Sequence, residues 1–170
     1  MSENKPNVEE FEKSLLLEIF NYINEQLKEK QLQLEMTIYG GTVMTILYDR
    51  PATKDIDCVF SGIDLKLLKN ILDLTRQNFD LKEDWLDEQI SEPLKYLLRE
   101  DKEIFKTYSN LKILKPVAEQ ILAMKVLANR VEPAKDFLDA SILLRELNIQ
   151  TPEELVDVIS AYVPINLIGE

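Results

Sequence analysis

The stretch from Tyr39 to Phe60, YGGTVMTILYDRPATKDIDCVF, constrains the fold more than any other part of the sequence. It begins at the end of LEMTIY, an alternating segment typical of a β-strand, which stops at Gly40-Gly41. A helix-like run follows the glycines, and DRPAT then predicts a loop before a second strand, KDIDCVF. Because side chains alternate along a strand, Asp55 and Asp57 are expected on one face. The stretch therefore predicts a strand, a helix and a second strand that carries two acids.

Two carboxylates that point the same way repel each other, and a divalent cation between them offsets that repulsion. Mg²⁺ commonly takes one or two protein carboxylates and leaves its other positions to water and phosphate oxygens, as in phosphoryl-transfer sites. Gly40 and Gly41 would let a phosphate approach the backbone at the helix start, where Thr42 adds a hydroxyl donor. The alternative is a tight turn and a pair of acids at a solvent-exposed strand end. The combination of glycines and acids favours a site for a cation and a phosphate.

Composition limits the classes of protein that this chain can belong to. Its 170 residues are 45% hydrophobic and 30% charged, so we expect a single folded domain over residues 1–170. Its 20 Lys and Arg against 31 Asp and Glu disfavour double-stranded DNA and an anionic membrane as partners. The absence of His and the single Cys exclude His-dependent triads, His-based zinc sites and an intrachain disulfide. Carboxylates and lysines must therefore carry any chemistry.

The sequence also predicts where the protein resides. The start, MSENKPNVEEFEK, has neither the basic beginning nor the apolar core of a signal peptide, and no apolar run reaches 18 residues. We therefore expect a cytoplasmic protein in which Cys58 stays reduced and serves as a small buried hydrophobe.

The remaining segments predict mainly helices. Apolar residues at every fourth position predict a helix from about Val8 to Lys30, and EIFKTYS with LKILK predicts a hairpin that turns near Asn110. Further helices are predicted over Val117–Asn129, over AKDFLDASILLREL and after the capping signal TPEEL, whereas the segment before the hairpin has ambiguous boundaries. We predict an α+β fold, with a mixed sheet flanked by helices over about residues 31–115 and C-terminal helices over about residues 116–164.

The glycine pair, the short helix, Arg50, Thr53 and Asp55-Ile56-Asp57 resemble the signature of the DNA polymerase beta-type nucleotidyltransferase superfamily. More narrowly, YGGTVMTILYDRPATKDID, followed downstream by ILAMKVLANRVEPAKDFLDASIL, is similar to small bacterial nucleotidyltransferase-like proteins. Those proteins are related to the abortive-infection toxins of type IV toxin–antitoxin systems. The two blocks together cover less than a third of the chain.

The resemblance implies a minimal nucleotidyltransferase fold with a C-terminal helical cap. It also implies transfer of NMP from an NTP to a hydroxyl on RNA or on a protein, with Mg²⁺ or Mn²⁺ as cofactor and an antitoxin as a further partner. The positions that match catalytic residues are Asp55, Asp57 and Lys125, of which the two acids would hold the metal. The positions that match nucleotide-binding residues are Gly40, Gly41, Thr42, Arg50, Thr53, Lys135 and Asp136.

Lys125 is unusual on physical grounds as well, because it falls between Ala118, Ile121 and Leu122 on a helix that is apolar almost all round. A buried ammonium without an anion is strongly penalised, so we expect it to meet a carboxylate or a bound phosphate. The alternative is that its aliphatic stem carries the ammonium out to water.

Lys135, Asp136 and Asp139 match the basic-acidic start of the next helix in the same proteins. Lys135 is then placed to meet a phosphate or the Asp139 carboxylate. The alternative is that the acids simply interact favourably with the helix dipole.

Active members of the superfamily usually bring a third carboxylate from a later strand, and LKILKP contains none. The acids available elsewhere are Asp84, Asp87, Glu88 and Glu103. We prefer Asp87 as a further metal ligand, because the WLD of EDWLDE resembles a recurrent segment of these small proteins. Without a third acid, the chain would instead be a catalytically inactive nucleotide-binding or partner-binding module with the same fold.

Overall fold

The computed structural model describes residues 8–88, 94–128 and 133–168, and the side chains of residues 128, 133–136 and 168 are outside that description. The described residues form seven helices and five strands. The helices are α1 (Lys13–Glu29), α2 (Gly40–Leu47), α3 (Leu65–Phe79), α4 (Ala118–Ala128), α5 (Pro133–Glu146), α6 (Pro152–Ser160) and α7 (Ile165–Ile168). The strands are β1 (Leu34–Ile38), β2 (Ile56–Ser61), β3 (Leu86–Asp87), β4 (Lys102–Thr107) and β5 (Leu111–Pro116).

The five strands form one mixed sheet in the order β3-β2-β1-β5-β4. β1 is antiparallel to β2 and parallel to β5, and β2 is parallel to β3. The combination of this mixed sheet with helices confirms the predicted α+β fold. The predicted hairpin is also confirmed, with the Tyr108 N–H donating to Leu111 O across its turn.

The contacts within the chain divide it into two compact units. The first is Met1–Glu88 with Ile104–Lys115, and the second is Gln89–Glu103 with Pro116–Glu170. No helix among the described residues combines the length and the apolar character needed to cross a lipid bilayer.

The buried face of α1 forms part of the core of the first unit. The buried apolar residues of α1 follow the helical period and are Leu16, Ile19, Phe20, Ile23 and Leu27. Burial of such a side chain contributes about 1.5–3 kcal/mol relative to exposure. On β2, Ile56 and Cys58 are buried while Asp57 is only partly buried, as the alternation predicts. Burial raises the pKa of the Cys58 thiol well above its ordinary value, as expected for a small buried hydrophobe.

The predicted start of α1 at Val8 is wrong, because the segment before Lys13 pairs with distant backbone. Val8 forms a bridge with Leu81, and Phe11 forms one with Thr53. The Phe11 N–H donates to Thr53 O over 2.7 Å, and the Thr53 N–H donates back over 3.1 Å. These bonds hold Phe11 in an extended conformation, so the helix begins two residues later.

The strand β3 was not predicted, because two residues are too few to show an alternating pattern. The Ile56 N–H donates to Trp85 O over 2.9 Å, and the register then sets Asp57 opposite Asp87. Trp85 is 4% exposed, so its ring serves the core. This short strand brings an acid of the ambiguous segment next to β2.

The second unit contains α4 to α7, with a small core formed by Ala123, Ile159, Tyr162 and Val163. The predicted start of α6 is confirmed: Thr151 and Glu154 form a capping box, and a proline occupies the first turn. Pro116 is the last residue of β5, and α7 lies beyond the predicted helices.

Candidate functional site

The start of α2 lies directly against the side chain of Asp57. The Tyr39 N–H donates to Asp57 O over 2.9 Å, which brings the end of β1 beside this acid. Gly40 then has a φ of +52°, and the Gly41 N–H donates to Asp57 Oδ2 over 3.1 Å. A Cβ on Gly40 would collide with the same oxygen. Glycine is therefore required at position 40 both by its backbone angle and by the neighbouring carboxylate.

Gly41 is also closely packed. A Cβ there would lie 2.5 Å from Thr53 Oγ1 and 3.3 Å from Arg50 Nη1. The sequence predicts that these glycines leave room for a phosphate, whereas in this structure the Gly41 amide faces a carboxylate. The contact of Gly40 and Gly41 with nucleotide phosphates stays a prediction, and their packing against the acid-bearing segment is an additional reason for the glycine pair.

Two buried threonines hold the backbone around the acids. Thr42 is fully buried, and its Oγ1 accepts from the Asp57 N–H over 3.1 Å and donates to Asp55 O over 3.4 Å. Thr53 is 3% exposed, and its Oγ1 donates to Asp55 O over 3.1 Å. These contacts direct both hydroxyls at the protein backbone, whereas the sequence predicts that they contact nucleotide.

Three carboxylates meet beside this segment. Asp55 immediately precedes β2, Asp57 lies on β2, and Asp87 lies opposite Asp57 on β3. Each offers a carboxylate oxygen, and the three oxygens all lie within 4.8 Å of one another. All three residues are partly buried. The structure thus brings the two predicted acids together with Asp87, the residue preferred from the sequence as a supplementary acid.

Burial and neighbouring charges together perturb the pKa of Asp55. Burial and then the negative charge of Asp87 raise the pKa of its carboxyl above the ordinary value, and Asp84 adds to the effect. Lys82 and Arg50 act in the opposite direction and lower the pKa of Asp55. The balance is a raised pKa, which means that the ionised form is disfavoured where it stands. A bound cation would favour the ionised form.

Comparisons with known proteins were made at the level of sequence and of structure. No protein-family model and no curated protein matches the sequence. Among solved structures, the fold is similar to the crystal structure of an antigenic nucleotidyltransferase-like protein from Paracoccidioides brasiliensis. The TM-score is 0.50 at 15% sequence identity, and the match covers 89% of this chain and 88% of that chain. The chain has a nucleotidyltransferase-like fold. At this identity, the likeness concerns the fold alone.

The chemistry of the acid cluster fits a divalent cation. Its three donors are carboxylate oxygens, the ligands that Mg²⁺ and Mn²⁺ prefer. Their mutual distances, all within 4.8 Å, place them close enough to share a single ion. The described residues of this site are thus compatible with a divalent metal ion.

Lys125 lies in the second unit of the nucleotidyltransferase-like fold and meets a carboxylate there. Its Nζ is 2.8 Å from Asp139 Oδ2, and the two side chains are 10% and 5% exposed. The expected anion is therefore a protein carboxylate from α5, and the Lys125 side chain is largely buried. Its assignment as a catalytic residue stays a prediction.

The side chains of Lys135 and Asp136 lie outside the described part of the structure, although their backbone belongs to α5. Their predicted contact with nucleotide is therefore a prediction from the resemblance. Asp139, one turn further along α5, is the acid of this helix that the structure describes in an ion pair.

The support around the acids was not visible in the sequence. Gly41 and Thr42 contact Asp57 across 16 and 15 positions of the chain. Lys82, whose charge lowers the pKa of Asp55, is not among the predicted site residues. The signal available for it was its place just before the EDWLDE segment, which contains the third acid.

Proposed function

We propose that this protein is a Mg²⁺-dependent nucleotidyltransferase, which transfers NMP from an NTP to a hydroxyl acceptor. The observation that carries the proposal is the meeting of Asp55, Asp57 and Asp87 within 4.8 Å. The nucleotidyltransferase-like fold supports it, and so does the resemblance of the glycine and acid motifs. Mn²⁺ is the expected substitute for Mg²⁺.

The roles of the residues follow from the oxygen donors and from their surroundings. Asp55, Asp57 and Asp87 would hold the metal, which when bound supplies Lewis-acid activation of the phosphate. The acceptor oxygen attacks the α-phosphorus, the bond to the β-phosphate oxygen breaks, and pyrophosphate leaves with the electron pair. The proton of the acceptor hydroxyl passes to a carboxylate of the acid cluster. Arg50, whose charge already acts on Asp55, offsets phosphate charge.

The alternative of an inactive nucleotide-binding module was based on a missing third acid. Asp87 lies opposite Asp57 on β3 and would supply that acid. This neighbouring position of Asp87 supports an enzyme over a module without turnover. Label transfer remains the measurement that separates the two functions.

The test is transfer of label from each of the four NTPs carrying ³²P at the α-phosphate, with Mg²⁺ and with cell RNA or protein as acceptor. We expect transfer by the parent protein and none by Asp57→Asn. The matched control is Asp73→Asn, which changes an exposed acid of α3 in the same way and should leave transfer unchanged. Equal transfer by Asp57→Asn and parent would contradict the role of Asp57. Reversible NTP binding without transfer would favour the inactive module.

From the resemblance alone, we further propose that the acceptor is an RNA or a protein and that the chain is the toxin of a toxin–antitoxin pair. Expression of the parent in a bacterial host should then arrest growth, whereas Asp57→Asn should not. Growth arrest by both proteins would contradict a toxic activity that depends on the acid cluster. Co-expression of the neighbouring gene is the corresponding test for an antitoxin partner.

A further inference from the structure

The hydroxyl of Thr42 occupies a special place in the backbone of the acid-bearing segment. Its oxygen accepts from the Asp57 N–H over 3.1 Å and donates to the Asp55 carbonyl over 3.4 Å. One buried atom thus joins the peptide groups on both sides of Ile56. These two hydrogen bonds fix the backbone between Asp55 and Asp57.

The backbone N–H and the backbone carbonyl of Asp57 have partners of different kinds. The carbonyl accepts from the Tyr39 N–H at the end of the β1–β2 ladder, over 2.9 Å. The N–H donates to Thr42 Oγ1, so a side chain provides the acceptor that a strand carbonyl provides elsewhere in the sheet. A buried N–H without an acceptor would be costly.

A second hydroxyl acts on the same carbonyl. Thr53 Oγ1 donates to Asp55 O over 3.1 Å, so this oxygen accepts from two threonines. Thr53 is itself held by two backbone hydrogen bonds with Phe11. The carbonyl of Asp55 is therefore tied both to α2 and to the segment that precedes α1.

Burial alone does not explain why position 42 carries a hydroxyl. Valine has nearly the same shape as threonine and would fill the same space, so the hydroxyl matters through its hydrogen bonds. Thr45, also on α2 and 2% exposed, shows the contrast, because its Oγ1 has no hydrogen-bond partner among the described residues. The Thr42 hydroxyl, by contrast, both accepts and donates a hydrogen bond to the backbone of the acid-bearing segment.

We propose that Thr42 is a positioning residue for the acid cluster. Its hydroxyl fixes the backbone on both sides of Ile56, so that the carboxylates of Asp55 and Asp57 are directed, with Asp87, at one divalent cation. Thr53 supports it through Asp55 O. The inference rests on the proposed function of the cluster as a metal site. It adds that the affinity of this site is set by a side chain that does not touch the metal.

The test compares Mn²⁺ affinity, measured by titration of free Mn²⁺ with electron paramagnetic resonance, in the parent and in Thr42→Val. Loss of a residue that orients metal ligands typically weakens binding about 10- to 100-fold, and we expect that range here. Thr42→Ser keeps the hydroxyl and should restore binding. Far-UV circular dichroism establishes that each variant is folded.

The matched control is Thr75→Val. Thr75 is fully buried on α3, and its Oγ1 donates to Ile71 O over 2.8 Å, so this variant also loses a buried hydroxyl and its hydrogen bond. We expect Thr75→Val to bind Mn²⁺ as the parent does, although its unfolding midpoint falls. An equal loss of affinity in Thr42→Val and Thr75→Val would overturn the inference, because the effect would then be general destabilisation.

Thr53→Val gives a second measurement that is independent of the folding of Thr42→Val. It removes one of the two hydroxyl bonds to Asp55 O, and we expect a smaller loss of Mn²⁺ affinity in the same direction. Unchanged Mn²⁺ affinity in Thr42→Val overturns the inference but leaves the proposed metal site standing. If Thr42→Val is unfolded, unchanged Mn²⁺ affinity in Thr53→Val has the same consequence. Failure of the parent to bind Mn²⁺ overturns both.

Discussion

The change Lys125→Met tests the buried ion pair of the second unit. Methionine keeps the length and apolar contact of the lysine stem but removes its charge. The Asp139 carboxylate, 5% exposed and 2.8 Å from the ammonium, would then be buried without it. Removal of one partner from a buried pair typically costs about 3–5 kcal/mol. Because both side chains retain slight exposure, we expect the lower end, about 3 kcal/mol of unfolding free energy.

A double-mutant cycle isolates the energy of the pair from other effects of each change. Asp139→Asn keeps the shape of the aspartate and should destabilise by a similar amount, because it removes the carboxylate charge that lies 2.8 Å from the buried ammonium of Lys125. The double variant has neither charge, so its loss should be far smaller than the sum of the single losses. We expect a coupling of about 3 kcal/mol between the two positions, measured by chemical denaturation.

The chain offers a matched control on its surface. Lys28 Nζ lies 3.9 Å from Glu25 Oε2, and the side chains of Lys28 and Glu25 are 62% and 50% exposed. Exposed pairs contribute between about 0 and 1 kcal/mol, so Lys28→Met should leave the unfolding free energy nearly unchanged. The same substitution thus removes an ammonium from a buried pair in one variant and from an exposed pair in the other.

Nucleotide titration of Lys125→Met decides between a structural and a ligand-binding role for this residue. A structural ion pair predicts loss of stability with unchanged nucleotide affinity in the folded protein. A contact with nucleotide phosphate predicts loss of affinity with little loss of stability. Additive single effects in the cycle, together with an unchanged unfolding midpoint for Lys125→Met, would refute the reasoning from burial.

Three further predictions concern other parts of the structure. Gly41→Val places side-chain atoms against buried Thr53 and should lower the unfolding free energy by about 1–3 kcal/mol; an unchanged denaturation midpoint would show that the site relaxes freely. Thr45→Val removes a buried hydroxyl that has no hydrogen-bond partner among the described residues, and it should raise the free energy of unfolding by about 1 kcal/mol; an unchanged denaturation midpoint would contradict this expectation. Backbone hydrogen bonds from Gln150 and then Thr151 lower the pKa of Glu154, so its contribution to stability is present above its unfolded pKa and is lost as the pH falls through its folded pKa. Denaturation midpoints measured from about pH 5 down to about pH 3 should show that loss in the parent and not in Glu154→Gln, and identical profiles would contradict it.

Most helices and strands were predictable because their signals are local. The alternation of LEMTIY and KDIDCVF gives β1 and β2, and the Thr151 capping signal gives the start of α6. The start of α1 was not predictable, because Phe11 is held in an extended conformation by Thr53, 42 positions away. The helical spacing of apolar residues in the sequence includes Phe11. In the structure, pairing with a distant backbone segment keeps this residue out of the helix.

The candidate site divides in the same way between local and distant causes. The common face of Asp55 and Asp57 follows from the two-residue period of a strand. The position of Asp87 opposite Asp57 depends on the parallel register of β3, which a two-residue strand cannot reveal in a sequence. Asp87 was preferred through its resemblance to a family segment, and the geometry that makes it a neighbour came only from the structure.

The glycine pair helps the chain to hold three acids at close range. The Gly41 amide at the start of α2 donates to Asp57 Oδ2, and such a bond stabilises an ionised carboxylate, as does the positive end of the helix dipole. Lys82 and Arg50 partly offset the charge around Asp55. The pKa of Asp55 is still raised, first by burial and then by the negative charge of Asp87, so part of the repulsion remains. Gly40 and Gly41 are therefore needed for the acids themselves, whether or not a phosphate also approaches them, and a divalent cation would offset the repulsion that remains.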